Sequence, residues 1–448
     1  MKFWPVLLLV ILTACQVNTK PDLALLYQPQ NSQNQTPLIL IHGSLGSKLR
    51  LIESGKEVWP GKLNDLIFSN YKVLANHIKP DTLSVDYEKI ESYAIFDSYS
   101  GLSIYDDIIK TLTTYGGYQL NKPQQAVGSQ RQLYVFHYDW RQDNVHNAQK
   151  LAAFIDQVLK KHPNQQQVDV VAHSMGGILL RYYQRFGAKD VLPLLQADSS
   201  AAIQTDSQAN KIRHAIFLGT PQLGSVKPVL RLMSGFDFNL RNIPVEVQIT
   251  MPSVYQLLPH PQSHWLADYA GNSIQFDLYD PNNWKQHEWS IYNTDVITRI
   301  HKNHDPQSDG ETELQTLQAF FNHQLRRAKA LWLALSPKYE VDHEGFIIMG
   351  GSCKQTLNRL ILEQDHDHVV FHDKINHAVG DKDIQRNILY EPGDGQVTKS
   401  SLLGQIRISD QQTLDTIKVR YPVFVCEDHL KLTENITFQD NLLHILLN

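Results

Sequence analysis

Five short, largely apolar runs punctuate this chain, 37–41, 133–138, 168–172, 214–218 and 345–349, and a more mixed run over 417–425 reads as the last strand. Each is too short for a helix and ends in a turn-forming or polar cluster, so each predicts a buried strand. Between them the pattern changes period. Asp143 and Asn144 offer a helix cap, and Val145, Ala148, Leu151, Ala152, Ile155, Val158 and Leu159 follow at helical spacing. Lys160, Lys161 and His162 suit the helix C-terminus, and Pro163 ends the helix. A second helix is predicted over Gly176 to Phe186, directly after the run Val168–Ala172. Strands alternating with helices, the strands apolar almost throughout, predict an α/β fold with a mostly parallel sheet flanked by helices on both faces.

The alternation breaks between about residues 226 and 340. That stretch holds Phe236, Phe238, Tyr255, Trp265, Tyr269, Phe276, Tyr279, Trp284, Trp289 and Tyr292, and a helical pattern over 311–335 closes it. It reads as a cap inserted between a first core part, 37–225, and a second, 341–448. Most of these aromatics are expected to pack the insertion's own core, with some facing the site. Residues 47–130 read as another, irregular insertion, and Asn441 to Leu447 as a short final helix.

The N-terminus has a different character. Lys2 precedes the apolar run Val6–Leu12, too short to span a bilayer, and Leu12-Thr13-Ala14-Cys15 follows. This resembles a bacterial lipoprotein signal, which implies a signal peptide over 1–14, lipidation of Cys15 and an anchor in the cell envelope; Gln16 after the cysteine implies the outer membrane. The plainer alternative is a cleaved secretory signal with an incidental cysteine. The rest of 15–36 is polar and aperiodic, as expected of a flexible tether. Cys353 and Cys426 each sit just past a predicted core strand, so in an oxidising compartment they are candidates for a disulfide, the alternative being two buried thiols. A formal net charge of -5 over 448 residues, with no basic patch, excludes a nucleic-acid binder. Nothing in the sequence fixes the oligomeric state.

The candidate chemistry lies where Ala172-His173-Ser174-Met175-Gly176-Gly177 joins a strand to a helix. Such a bend exposes a serine hydroxyl as a nucleophile, and small residues two positions either side let the backbone pass itself. Serine needs a histidine to take its proton and a carboxylate to orient that histidine. The order serine, acid, histidine then points past residue 340, to Asp394 within Gly393-Asp394-Gly395 and to His429 after the last strand. Asp381 and Asp383 are rival acids; His377 and His444 are rival bases. Developing charge on the carbonyl oxygen calls for backbone N–H groups, assigned to Met175 and to Ser44, with Leu45 second. Asp365, His366, Asp367, His368, His372, Asp373 and His377 carry metal-ligand chemistry, yet read better as a polar hairpin around Val369-Val370-Phe371. Neither metal nor cofactor is needed by an activated serine.

Several blocks together resemble the lecithin:cholesterol acyltransferase family of α/β-hydrolases. They are Ile41-His42-Gly43-Ser44-Leu45-Gly46-Ser47-Lys48-Leu49, Trp59-Pro60, Tyr138-Asp139-Trp140-Arg141, the serine elbow, Gly219-Thr220-Pro221-Gln222-Leu223-Gly224-Ser225, and Pro252-Ser253-Val254-Tyr255-Gln256-Leu257-Leu258-Pro259. Gly393-Asp394-Gly395 and Asp428-His429 match the acid and base blocks. The chain departs from the family in Ala172, where glycine is usual, in His42, where proline is common, and in a longer stretch between Cys353 and Asp394. The resemblance implies an α/β-hydrolase with a cap and a serine acyl hydrolase or O-acyltransferase acting on lipid esters at a membrane surface. A carboxylesterase of soluble esters and a non-catalytic lipoprotein binding module are the alternatives.

Overall fold

The computed structural model describes residues 20–27, 36–61, 71–96, 98–99, 102–206, 211–238, 241–303, 309–336, 345–365, 368–409 and 412–448. Its centre is a seven-stranded sheet: β1 (Leu38–Ile41), β2 (Tyr118–Asn121), β3 (Arg131–Phe136), β4 (Val168–His173), β5 (Ile212–Leu218), β6 (Phe346–Gly351) and β7 (Val419–Val425). The order is β7-β6-β5-β4-β1-β3-β2, and every neighbouring pair is parallel. Every residue of β1 and β4 is buried. Side chains alternate between faces: Ile39 and Ile41 join one apolar cluster with Ile155 and Ile178, while Leu38 and Leu40 join another with Leu112 and Leu442. A strand buried on both faces has no polar side to display, which is why these runs are apolar without alternation.

Helices α1 (Asp106–Thr114), α2 (Asn144–Lys161), α3 (Gly176–Phe186) and α6 (Ile436–Leu447) pack on the sheet, while α4 (Lys227–Ser234) and α5 (Gly310–Ala334) belong to the 226–340 segment. The Asp143 carboxylate accepts the N–H groups of Val145 and His146 and so starts α2. At the C-terminus of α5 the unsatisfied carbonyls receive buried arginines from α3. Arg181 donates to Leu335, and Arg185 donates to Ala334 and Ser336. The end of the 226–340 segment is thereby bonded to the helix that follows Ser174. Within the segment, Phe321 packs edge-on against Tyr255 and Trp284.

Register aligns the C-terminal strand ends. Ile41 lies beside Ala172, which lies beside Phe217, so the loops after β1, β4 and β5 open at one edge of the sheet. A disulfide between Cys353 and Cys426 joins the chain just after β6 to the chain just after β7.

Two stretches differ from the sequence reading, and a third gains a partner. Within 47–130 the described residues form regular strands: Ser47–Leu51 pairs with Glu57–Trp59 and with Ile90–Ile95, and Tyr118–Asn121 joins the central sheet as its edge strand β2. The short, polar sequence of β2 suits an edge and hides it from an apolar-run criterion. In the expected tether, Leu23–Leu26 forms one helical turn; Leu23 is buried and the Tyr27 hydroxyl donates to Asp440 of α6. The hairpin Leu360–Asp365 with His368–His372 forms as expected, and also pairs with Leu266–Ala267 of the 226–340 segment. Cys15 and the signal peptide lie outside the described residues.

Candidate active site

Ser174 stands on the bend between β4 and α3 with φ 54°, a left-handed conformation that non-glycine residues adopt only when their surroundings hold them there. The Ser174 N–H donates to Leu218 at 2.8 Å and its carbonyl accepts from Gly177 at 3.0 Å. Close neighbours leave no room for larger residues. A Cβ on Gly176 would lie 2.4 Å from the His42 carbonyl oxygen, and one on Gly177 would lie 2.1 Å from Thr220 Oγ1. The hydroxyl is left part-exposed at the C-terminal edge of the sheet.

His429 and Asp394 come to this edge from the loops after β7 and after the strand Tyr390–Gly393. His429 Nε2 lies 3.1 Å from Ser174 Oγ, and Nδ1 lies 2.7 Å from Asp394 Oδ2. The other carboxylate oxygen, Oδ1, accepts the N–H groups of Gln396 and Val397 at 2.9 and 2.7 Å. The backbone is tied as well: the His429 N–H donates to the Asp394 carbonyl. Burial alone would raise the Asp394 pKa; the neighbouring His429 and these two N–H groups outweigh it and hold the carboxyl below its ordinary range. An ionised carboxylate fixes the proton of His429 on Nδ1 and leaves Nε2 free to accept from Ser174.

Two glycines make the seats. Gly219 at the end of β5 has φ +59°, and a Cβ there would lie 2.9 Å from His429 Cε1. A Cβ on Gly351 would lie 2.6 Å from the Asp394 Cβ. The four rival residues are elsewhere. Asp381 caps the helix Lys382–Leu389, Asp383 pairs with Arg386, and His377 and His444 are exposed.

Beside the serine lies the loop His42–Gly46. The backbone N–H groups of Ser44 and Met175 make no hydrogen bond within the described residues. Around them the loop is fixed by a histidine that sequence reasoning had read only as part of a motif. His42 is buried, and burial pushes its pKa down to about 3. Its Nε2 accepts the Tyr138 N–H at 3.1 Å, so Nδ1 carries the proton and donates to the Gly43 carbonyl at 2.7 Å. The Gly43–Ser44 peptide plane is pinned by that bond and by the Gly46 N–H, which donates to the same carbonyl.

A second relay also went unread. The Gly43 N–H donates to the Tyr105 hydroxyl at 2.8 Å, and that hydroxyl donates to His173 Nδ1 at 2.8 Å. His173 is buried, its pKa pushed down to about 3, first by burial and then by His429, whose ring lies 4.8 Å away. Among the described residues no group of three or more His, Cys, Asp or Glu gathers as a metal ion would require; His366 and Asp367 lie outside them.

The fold matches solved structures at low identity. A chain of the Tle4-Tli4 complex is 13% identical, with 93% of this chain and 99% of that chain covered at a TM-score of 0.52. EstA from Clostridium botulinum is 12% identical, over 94% and 89% of the two chains at 0.33. Bacillus licheniformis lipase BlEst2 is 12% identical, over 93% and 94% at 0.32. No curated protein matches the sequence. The seven parallel strands, the covering helices and the serine bend form an α/β-hydrolase fold. The lecithin:cholesterol acyltransferase family model matches residues 84–403, well over half of the chain, and the chain belongs to that family.

Proposed function

We propose that this protein is a serine acyl hydrolase or O-acyltransferase that works on lipid esters through an acyl-Ser174 intermediate. The observation that carries the reading is the unbroken row Ser174 Oγ, His429 Nε2, His429 Nδ1, Asp394 Oδ2, at 3.1 and 2.7 Å. Ser174 Oγ attacks the acyl carbonyl carbon as His429 Nε2 takes its proton. Negative charge gathers on the carbonyl oxygen, where the Met175 and Ser44 N–H groups receive it; one such donor is worth roughly 3 kcal/mol of barrier. The carbon–oxygen bond to the alcohol breaks, and the departing oxygen takes the proton from His429. Water or the hydroxyl of a second lipid then gives its proton to His429 and attacks the acyl-serine. Water yields a free fatty acid; a lipid hydroxyl yields a new ester. Either way Ser174 recovers its proton and no cofactor is required.

A lipid substrate is supported by family membership and by the 226–340 segment, which we read as a cap. Phe236 of that segment lines the same small cavity as Ser44 and Leu45. Lipidation of Cys15 would hold the enzyme at a membrane of the cell envelope, the outer membrane by the Gln16 criterion, close to its substrate.

A fluorophosphonate probe tests the serine. The wild type should label, and Ser174→Ala should not; well-folded wild type that fails to label would instead support a binding module without turnover. Vesicles of phospholipid, with and without an acceptor alcohol, then separate hydrolysis from transfer. Turnover confined to short soluble esters would support a carboxylesterase.

A further inference from the structure

Gly43 stands against the nucleophile: a Cβ there would lie 2.6 Å from the Ser174 Cβ. Only glycine fits, and glycine brings torsional freedom. The Ser44 N–H points wherever the Gly43 torsions send it. Two peptide planes meet at Gly43, and both are held. The plane after it is pinned at the Gly43 carbonyl by His42 Nδ1 and the Gly46 N–H. The plane before it, His42–Gly43, is gripped at both ends by tyrosine hydroxyls. Tyr138 donates to the His42 carbonyl at 2.9 Å, and Tyr105 accepts the Gly43 N–H at 2.8 Å.

Tyr105 does more than grip the loop. Its hydroxyl also donates to Nδ1 of His173, the last residue of β4 and the neighbour of Ser174 in the chain. A phenol can give its one proton and accept another at the same time. Tyr105 is 2% exposed, and burial raises its pKa, so its proton stays in place. With Nδ1 as the acceptor, the proton of the neutral His173 ring sits on Nε2. The Gly43 N–H, the phenol and the imidazole form one chain in which every donor points the same way. It joins the loop that carries Ser44 to the bend that carries Ser174 and Met175. Without the hydroxyl, a buried N–H and a buried ring nitrogen lose their partners, and the His42–Gly43 plane keeps one grip of two.

We propose that Tyr105 is a positioning residue for the oxyanion site: by holding Gly43 to His173, it sets the direction of the Ser44 N–H relative to Ser174 Oγ. The tetrahedral oxyanion gains from that aim and the ground-state ester does not, so the hydroxyl acts on kcat rather than on substrate affinity. This role rests on the serine reading above and adds to it the part that keeps the oxyanion donor aligned.

The test is Tyr105→Phe in the full-length protein, which removes one oxygen and keeps the ring. On a soluble chromogenic ester kcat should fall at least about tenfold, and KM should change by less than about threefold. A trifluoromethyl ketone adds to an active serine and places an oxyanion in the site. Its affinity should fall by the same factor as kcat/KM, whereas the corresponding secondary alcohol, which cannot add, should bind unchanged. A purely structural defect would not separate the two inhibitors. His173→Asn and His173→Leu probe the other end of the chain and do not depend on the folding of Tyr105→Phe. Asparagine offers an amide oxygen near the place of Nδ1 and should keep ketone affinity within about threefold; leucine should lose at least about tenfold. Three results overturn the proposal: Tyr105→Phe within about threefold of wild type, a kcat loss without an equal loss of ketone affinity, or equal behaviour of the two His173 variants. Fluorophosphonate labelling of the wild type runs alongside. Labelling with an unaltered Tyr105→Phe removes the positioning role alone, whereas a wild type that neither labels nor turns over removes the serine reading itself.

Discussion

Gly219→Ala is the sharpest perturbation of the site, because it adds one methyl group and no charge. Two costs can be worked from the structure. The residue has φ +59°, and an L-residue held there costs about 1–2 kcal/mol. The new Cβ would also lie 2.9 Å from His429 Cε1 and 3.0 Å from Nδ1. Carbon atoms settle at about 3.5–4.0 Å, so the imidazole must retreat by roughly 0.6–1 Å. It cannot retreat without loss. Asp394 holds Nδ1 at 2.7 Å, the His173 ring lies 4.8 Å away, and Nε2 already stands at 3.1 Å from Ser174 Oγ. A displacement near 1 Å in a reacting group can cost about 100-fold in rate, equivalent to ~2.7 kcal/mol of barrier. The assay is kcat and KM on a soluble chromogenic ester, with thermal unfolding in parallel. The expected result is a kcat about 100-fold lower, a KM changed far less, and a melting temperature lowered by only a few degrees. A Gly219→Ala protein that turns over within threefold of wild type would refute the seat assigned to His429.

Asp394→Asn keeps an oxygen for the Gln396 and Val397 N–H groups but turns an amide N–H toward Nδ1, forcing the proton of His429 onto Nε2. Turnover should fall by about 10⁴ with the fold retained, as measured by ester hydrolysis and circular dichroism. Stability should fall on acidification. Burial pushes His42, His173 and His260 down to about 3 from 6.5, so below pH 6.5 the unfolded chain binds protons that the folded chain refuses. Each of the three contributes up to about 1.4 kcal/mol of lost stability per pH unit in that range, and the lowered Asp394 carboxyl acts in the same direction at lower pH. Urea unfolding between pH 7.5 and 4.5 measures it, and a flat profile would contradict the buried neutral imidazoles. Reducing Cys353–Cys426, which closes a loop of 73 residues, should cost roughly 4 kcal/mol by chain entropy; an unchanged melting temperature under reductant would oppose that.

What the sequence made legible was local. The run Val168–Ala172 followed by Ser174, Gly176 and Gly177 announces a strand, a strained bend and a helix because all three signals sit within ten residues. Asp394 and His429 were legible through chain order and their glycine and strand-end settings, and in the structure they lie in one hydrogen-bonded row with Ser174. The edge strand β2 was not legible, since Tyr118–Asn121 has neither the length nor the apolar run of its neighbours. Nor was the docking of Leu23, buried in an apolar cluster, and of Tyr27, bonded to Asp440 413 residues away along the chain.

The supports of the site were the least legible, for a reason that lies in their chemistry. Tyr105 comes from a stretch with no motif, 62 residues from Gly43 and 68 from His173, yet its one hydroxyl accepts from the first and donates to the second. A hydroxyl can do this only because parallel register sets β1 and β4 side by side and brings their two loops to the same edge. Neither loop alone specifies the partner. His42 follows the same rule: its tautomer is decided by the Tyr138 N–H, 96 residues away, and that decision leaves Nδ1 to pin the Gly43 carbonyl. The residues proposed to attack, accept and orient are recognised by reactivity, which a side chain carries in its name. Those that hold the backbone still are chosen by which unsatisfied group the sheet register places beside them, and that follows from the fold as a whole.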